Sequence, residues 1–250
     1  MPISAAQISQ IVRSQLAIDL NCSPDAFDSD GFVFCEAREN PGRRPFPRGE
    51  CHFEMLTMGG AVIVSATPDI LPFLREQLDG KTRDDAFSMP FVYGSGLFFL
   101  PDDPQPMPDP AGVTIEMLER DRIMGLYVLC KQTDFTKALQ FDPNHSRPDI
   151  LATVATVNGQ IAGIAGACID CDMMWQIGID VLPSFRKRDI AAVLTNRLTI
   201  AILNRGKVPY YGTGTSNIAS QRVAHRAGFR VAWSCAYRGH FGDILTSPTV

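Results

Sequence analysis

The sequence predicts an α/β or α+β fold in two parts: a smaller α/β N-terminal domain, and a C-terminal domain with a mixed central sheet and flanking helices. Three observations lead there. Five prolines within residues 101–110 exclude helix or central strand from that segment. After residue 113, strand-like and helix-like patterns alternate. Asn158-Gly159 separates two apolar runs, as a two-residue hairpin turn does. We therefore expect domains at 1–100 and 113–250, joined by a linker at 101–112.

The N-terminal domain contains both helix and strand patterns. Ser4 precedes apolar residues at helical spacing and is a typical N-cap. Gly59-Gly60 interrupts an apolar run and predicts a hairpin turn. Pro68 suits the first turn of a helix. The predicted elements are a helix at 4–20, strands at 31–36 and 52–66, a helix from Thr67 to about Leu78, and a strand at 91–100.

The C-terminal domain shows clearer periodicity. Residues 175–182 alternate apolar and polar, which is typical of a strand, and Pro183 ends the pattern. The next helix carries one apolar face and stops at Arg205-Gly206. The predicted strands are 113–118, 151–157, 160–168, 175–182, 208–212 and 229–237, and the predicted helices are 121–131, 189–203 and 218–227.

Composition excludes two classes of protein. Hydrophobic residues make up 45% of the 250 residues and charged residues 20%, which excludes a disordered chain. The longest apolar runs are far short of the roughly 20 residues that span a bilayer, so we expect no membrane partner. Residues 1–4 show no basic segment followed by an apolar one, so we expect no secretory signal and a cytoplasmic protein.

Charge is distributed unevenly along the chain. Residues 181–238 contain ten Lys/Arg and one acidic residue, which gives +9. The remaining 13 basic and 26 acidic residues give −13, and the two sum to the net charge of −4. A local positive field on an acidic protein favours an anionic ligand at one site. We do not expect nucleic acid as a partner, because Arg186-Lys187-Arg188 is the one basic cluster and no aromatic residues interleave it.

Cysteines do not indicate a metal site or a disulfide framework. Their number, seven, is odd, and Cys168-Ile169-Asp170-Cys171 is a lone C-x-x-C without a second pair or histidines at a matching spacing. We interpret the cysteines as packing residues and expect no metal.

The feature that is most informative about function lies at residues 175–203. It consists of a predicted strand, a basic loop and a helix, in that order. The first turn of a helix has unpaired N–H groups and a partial positive charge. The preceding loop adds the side chains of Arg186, Lys187 and Arg188. Such a site suits a pyrophosphate, although a solvated basic loop would look the same in sequence.

Together with the segments around it, this order resembles the GNAT superfamily of acyl-CoA-dependent N-acyltransferases. The resemblance covers roughly residues 113–238. It includes the hairpin at 154–166, the segment from Val181 through Arg186, and Asn217, Ser220 and Gly228-Phe229 in order. It extends to a subgroup with an extra N-terminal region before a C-terminal GNAT domain.

The resemblance implies an N-acetyltransferase that moves an acetyl group from acetyl-CoA to a primary amine, by direct transfer in a ternary complex. A small amine or cationic acceptor would suit the acidic remainder of the chain. The N-terminal domain would cover the acceptor side or form a homodimer. The residues implied for cofactor binding are Ile179 and Val181 along the pantetheine arm, Arg186, Lys187, Arg188, Asp189, Ile190 and Ala191 around the pyrophosphate, Asn217 near the thioester, and Ser220 at the cofactor or as a helix cap.

Two positions depart from the family pattern. Asp189 replaces the central glycine of the loop, where an aspartate could instead cap the helix but puts a negative charge near the pyrophosphate. Ala224 stands where many members carry a tyrosine that protonates the departing thiolate. Both departures leave open a second interpretation, a catalytically weak or inactive GNAT-like module that binds CoA or a partner.

A general base is not fixed by spacing. The candidates are Asp172, Asp180, Tyr211 and His145. Of these, we take Asp180 and Tyr211 as the catalytic residues, although Asp180 could equally pair with an arginine and Tyr211 could be a packing residue.

Overall fold

The structure is a computed structural model that describes residues 3–46, 52–92 and 94–238. In this part of the chain there are six α-helices and ten strands. The helices are α1 (Ala5–Leu20), α2 (Leu71–Leu78), α3 (Arg83–Phe87), α4 (Arg120–Leu129), α5 (Ile190–Asn204) and α6 (Ile218–Arg226). The strands are β1 (Phe32–Glu36), β2 (Phe53–Thr57), β3 (Val62–Ala66), β4 (Gly94–Pro101), β5 (Thr114–Glu119), β6 (Asp149–Val157), β7 (Gln160–Ile169), β8 (Met174–Val181), β9 (Val208–Gly214) and β10 (Phe229–Arg238).

The chain divides into two compact units. The first contains Phe99–Thr213, Asn217–Arg230 and the residues up to Ile8, and the second contains Ser9–Phe98, Gly214–Ser216 and the residues from Val231. The predicted linker at 101–112 lies inside the first unit. The domain boundaries expected from the sequence stay a prediction.

The first unit is built on a mixed sheet with the strand order β9-β8-β7-β6-β5. The strands from β5 to β8 pair antiparallel, and β8 pairs parallel with β9. Helix α5 packs against β6, β7 and β8, and α4 packs against β5 and β6. This arrangement confirms the predicted mixed sheet with flanking helices. Asn158 and Gly159 both have positive φ values, 48° and 79°, as the predicted hairpin turn requires.

The proline-rich segment is held along α5. The Asn196 side chain accepts a hydrogen bond from the Met107 N–H at 3.1 Å and donates one to the Gln105 carbonyl at 3.0 Å. The same amide donates to the Ala227 carbonyl at 3.1 Å, just after α6. Asn196 is 1% exposed, so this buried amide joins α5 to two other parts of the unit.

The second unit has its own apolar core. Its strands lie in the order β1-β3-β2-β10, with β1–β3 parallel and the other pairs antiparallel. Residues Ser234–Arg238 of β10 pair with Phe53–Thr57 of β2, so the last strand belongs to this sheet. The core gathers apolar side chains from the strands and from α2.

One helix prediction in this unit has the wrong start, and one short helix was not predicted. Helix α2 begins at Leu71 after a turn, with Pro72 in its first turn, whereas the predicted start used Pro68. Helix α3 was not predicted, because five residues are too few for a periodic pattern. Thr82 and Asp85 form a reciprocal capping box at its start. No helix in the described ranges is long and apolar enough to cross a membrane.

Candidate functional site

Strands β8 and β9 stop pairing before they end. Their parallel register runs from Met174↔Val208 to Ile177↔Tyr211, yet β8 continues to Val181. The other edge of β8 stays paired with β7 as far as Val181↔Gly163. The backbone of Ile179 and Val181, predicted to bind a pantetheine arm, therefore lies along an edge that β9 does not occupy.

A basic loop and the start of α5 follow this edge. Lys187 and Asp189 have φ values of 61° and 62°, so two residues of the loop adopt the left-handed backbone conformation. The first hydrogen bond of α5 joins the Val193 N–H to the Asp189 carbonyl at 3.1 Å. The N–H groups of the three preceding residues, Ile190, Ala191 and Ala192, have no carbonyl one turn earlier to bond. Such N–H groups bind phosphates well.

Asp189 adopts the left-handed backbone conformation that glycine usually adopts. Aspartate is one of the few side chains that tolerate the left-handed region. It occupies the N-cap position of α5, but its carboxylate makes no capping hydrogen bond. It pairs instead with Arg226 of α6, with 2.6 Å between Asp189 Oδ1 and Arg226 Nη1. The carboxylate thus forms an ion pair with α6 and does not occupy the amides of the helix start by a capping hydrogen bond.

The other charged residues of the loop are exposed. The Arg186 Nε donates to the Val181 carbonyl at 3.1 Å, so this side chain folds back over the end of β8. Among the described residues, Lys187 and Arg188 form no ion pair with an acidic side chain. Ile190 is 1% exposed, so a ligand would meet its backbone rather than its side chain.

Tyr211, Ser220 and Asn217 come together where β9 leaves β8. The hydroxyls of Tyr211 and Ser220 are 2.5 Å apart, and either can donate. Asn217 is the N-cap of α6, and its side-chain oxygen accepts from the Ser220 N–H at 3.1 Å. Burial is the main reason that the pKa of Tyr211 is raised, and the nearby Asp180 charge adds to the effect. The phenol is therefore protonated at neutral pH.

Asp180 binds backbone rather than an arginine. Its Oδ2 accepts from the N–H groups of Lys137 and Ala138 at 2.7 and 3.0 Å. Burial raises the pKa of Asp180, and these two hydrogen bonds oppose the shift. The segment they hold passes very close to the sheet: an added Cβ at Gly178 would collide with the Lys137 carbonyl oxygen, and one at Gly166 with that of Ala138.

The remaining base candidates are already engaged. Asp172, two residues before β8, pairs with Lys207 at 2.9 Å and is exposed. The Nδ1 of His145 accepts from the Arg147 N–H within its own loop at 3.1 Å. Ala224 is fully buried and brings no polar group to the site.

Cys168 is a packing residue, as its sequence context predicts. It is buried, and its thiol donates to Asp170 at 3.4 Å. Burial raises its pKa, so the thiol stays protonated. Across the ranges that the structure describes, no three His, Cys, Asp or Glu side chains form a group that could hold a metal ion.

Sequence reasoning missed four residues that shape the site: Gly166, Gly178, Asn196 and Arg226. The small residues Ala-Gly-Ile-Ala-Gly-Ala at 162–167 were a signal of close backbone approach. Arg226 gave no signal, since one arginine on an exposed helix face resembles any other.

A comparison with protein families identifies a match to part of the chain. Residues 155–238 match the model of the FR47-like protein family, which is related to the GNAT acyltransferases. The match confirms the predicted resemblance for the fold of this segment, about a third of the chain. No curated protein matches the sequence.

Several solved structures resemble the chain. An acetyltransferase of the GNAT family from Colwellia psychrerythraea is 11% identical, with 96% of this chain and 99% of the other covered and a TM-score of 0.47. A GCN5-related N-acetyltransferase from Kribbella flavida is 16% identical, with 73% and 71% covered and a TM-score of 0.45. The aminoglycoside N-acetyltransferase AAC(6')-Iy, in complex with CoA, is 20% identical, with 50% and 91% covered and a TM-score of 0.37.

Proposed function

We propose that this chain, whose residues 155–238 have the fold of a GNAT acyltransferase, is an N-acetyltransferase that uses acetyl-CoA and a small amine or cationic acceptor. The early end of the β8–β9 pairing is the observation that carries the proposal. It leaves a strand edge of β8 beside a basic loop and the start of α5. An extended amide chain ending in a diphosphate has the matching chemistry.

The residues present fit acetyl-CoA. The edge at Ile179 and Val181 would bind the pantetheine amides, and the N–H groups of Ile190, Ala191 and Ala192 would bind the diphosphate. Lys187 and Arg188 supply positive charge beside it. When bound, acetyl-CoA supplies a thioester whose acetyl group can pass to an amine.

Tyr211 is the proposed proton donor. In direct transfer, the neutral amine nitrogen forms a bond to the acetyl carbon, the carbon–sulfur bond breaks, the sulfur takes a proton, and the nitrogen releases one to water. The raised pKa of Tyr211 keeps the phenol protonated before transfer, and the Ser220 hydroxyl, 2.5 Å away, can relay a replacement proton from water. Asp180 is better placed to position the segment around Lys137 than to accept the amine proton, because its Oδ2 already accepts two N–H groups.

Binding and transfer are tested separately. We expect acetyl-CoA at 100 times its dissociation constant to stabilise the protein by about 2.7 kcal/mol in a thermal-shift assay. We expect turnover on a panel of primary amines, followed by release of the CoA thiol.

Tyr211→Phe should lower kcat by about 100-fold or more and leave acetyl-CoA binding unchanged. Tyr210→Phe is the matched control, since that buried hydroxyl bonds Asp170 instead.

Two results would contradict the proposal. If neither acetyl-CoA nor CoA raises the unfolding temperature, the protein does not bind the proposed cofactor. A shift without turnover would favour the second candidate, a GNAT-like module that binds CoA without transferring the acetyl group, to which Ala224 at the usual tyrosine position points.

A further inference from the structure

The loop at residues 186–191, which we propose binds the diphosphate (the diphosphate loop), carries a carboxylate close to where the phosphates would bind. Asp189 lies at the N-cap of α5, one residue before the N–H groups that would bind the anion. A free carboxylate there has two unfavourable options: it can accept from those N–H groups and block them, or repel the phosphates. In the structure the carboxylate does not cap the helix and pairs with Arg226 instead.

Arg226 comes from a different helix, and its position is fixed by a buried contact. The next residue, Ala227, accepts a hydrogen bond from the Asn196 side chain of α5 at 3.1 Å. This bond joins the end of α6 to the helix that Asp189 begins. The guanidinium of Arg226 therefore lies beside the loop without belonging to it.

We propose that Arg226 is a positioning residue of the diphosphate loop, which holds the Asp189 carboxylate off the start of α5 and neutralises it. The inference depends on the proposed function, since it concerns how CoA is bound. Arg226 and Asp189 together replace the glycine: the aspartate takes the left-handed backbone shape, and the arginine compensates its charge. Arg226 acts through Asp189, so its effect on binding should vanish when that charge is removed.

The test is a double-mutant cycle on CoA affinity, measured by isothermal titration calorimetry. Asp189→Asn keeps the size and the left-handed tolerance of the residue but removes its charge. We expect Arg226→Ala alone to weaken CoA binding about fivefold, since the pair is half-exposed and such pairs are modest. We expect Asp189→Asn to bind at least as tightly as wild type. Adding Arg226→Ala to Asp189→Asn should have no further effect.

The control is Arg222→Ala on the same helix. Arg222 is exposed and, among the described residues, pairs with no acidic side chain, so its loss should leave affinity unchanged. Circular dichroism and the unfolding midpoint of each variant show that the fold is intact.

Each outcome has a distinct meaning. An equal loss from Arg226→Ala with and without Asp189→Asn would overturn the inference, because Arg226 would then touch the ligand itself. No loss in either background would overturn it too. Failure of the wild-type protein to bind CoA would instead overturn the proposed function, and the inference with it.

Discussion

At the scale of single residues, one carboxylate illustrates how burial and hydrogen bonding oppose each other. The Asp180 Oδ2 accepts both N–H groups from the neighbouring segment. Burial raises the pKa of the group, which means that the charged form is less favoured in the folded protein than in the unfolded chain. The two hydrogen bonds favour the charged form and so oppose the effect of burial.

Two substitutions separate those contributions. Asp180→Ala leaves two N–H groups without their acceptor and should lower the free energy of unfolding by about 1–3 kcal/mol. Asp180→Asn keeps an oxygen that can accept both bonds, and should cost much less at pH 7. Urea unfolding of both variants measures the difference; equal losses would show that the charge itself holds the segment.

The raised pKa also fixes the sign of a pH effect. The folded state binds the Asp180 proton more tightly than the unfolded chain, so this contribution to stability is fully present below the ordinary carboxyl pKa of 3.8 and is lost as pH rises through the folded value. The free energy of unfolding of Asp180→Asn, relative to that of wild type, should therefore increase as pH rises from 4 to 7. A stability deficit of Asp180→Asn that grows over that range would contradict the assigned direction.

At the scale of elements, the glycines of β7 and β8 decide how closely the segment at residues 132–139 approaches. Gly166 and Gly178 are direct neighbours across the two strands. Each lies under a carbonyl oxygen that leaves no room for a Cβ. Two facing glycines thus let a loop lie almost against the sheet, next to the strand edge proposed to bind acetyl-CoA.

Gly178→Ala should force this segment away from the sheet. We expect a loss of about 1–3 kcal/mol in the free energy of unfolding, from overpacking. Gly125→Ala is the control: it lies within α4 with open space around it and should gain up to about 1 kcal/mol from helix propensity. Chemical denaturation of the two variants tests this, and similar stabilities would show that the loop adapts freely.

Periodicity predicted most helices and strands because it reports which face of an element is buried. The alternation at 175–182 indicated β8, and Asn158-Gly159 indicated the hairpin of β6 and β7. Contacts between distant parts of the chain left no such pattern. The pair between Asp189 and Arg226 and the hydrogen bonds of Asp180 depend on how helices and loops pack, and a local window of sequence does not contain that information.

At the scale of the whole molecule, the uneven charge has a measurable consequence. The segment 181–238 carries +9 and includes the loop proposed to bind a diphosphate, whereas the rest carries −13. An exposed basic site of this kind attracts anions over a range set by salt, roughly 10 Å at 0.1 M.

CoA affinity should therefore fall with ionic strength. We expect about a tenfold weakening between 50 mM and 500 mM sodium chloride, from screening of the exposed Lys187 and Arg188. Calorimetric titrations across that range provide the measurement, with unfolding midpoints at each salt concentration as the control for stability. A flat dependence would mean that hydrogen bonds from the backbone, rather than charge, dominate binding.

The unpaired stretch of β8 also offers a route to inhibition. Extended molecules that alternate amide donors and acceptors, such as short peptidomimetics, can dock alongside Gly178–Val181 by backbone pairing alone. An acidic group at one end would reach the helix start beyond Pro183. A compound built in this way would compete with acetyl-CoA for the protein while resembling neither its nucleotide nor its thioester.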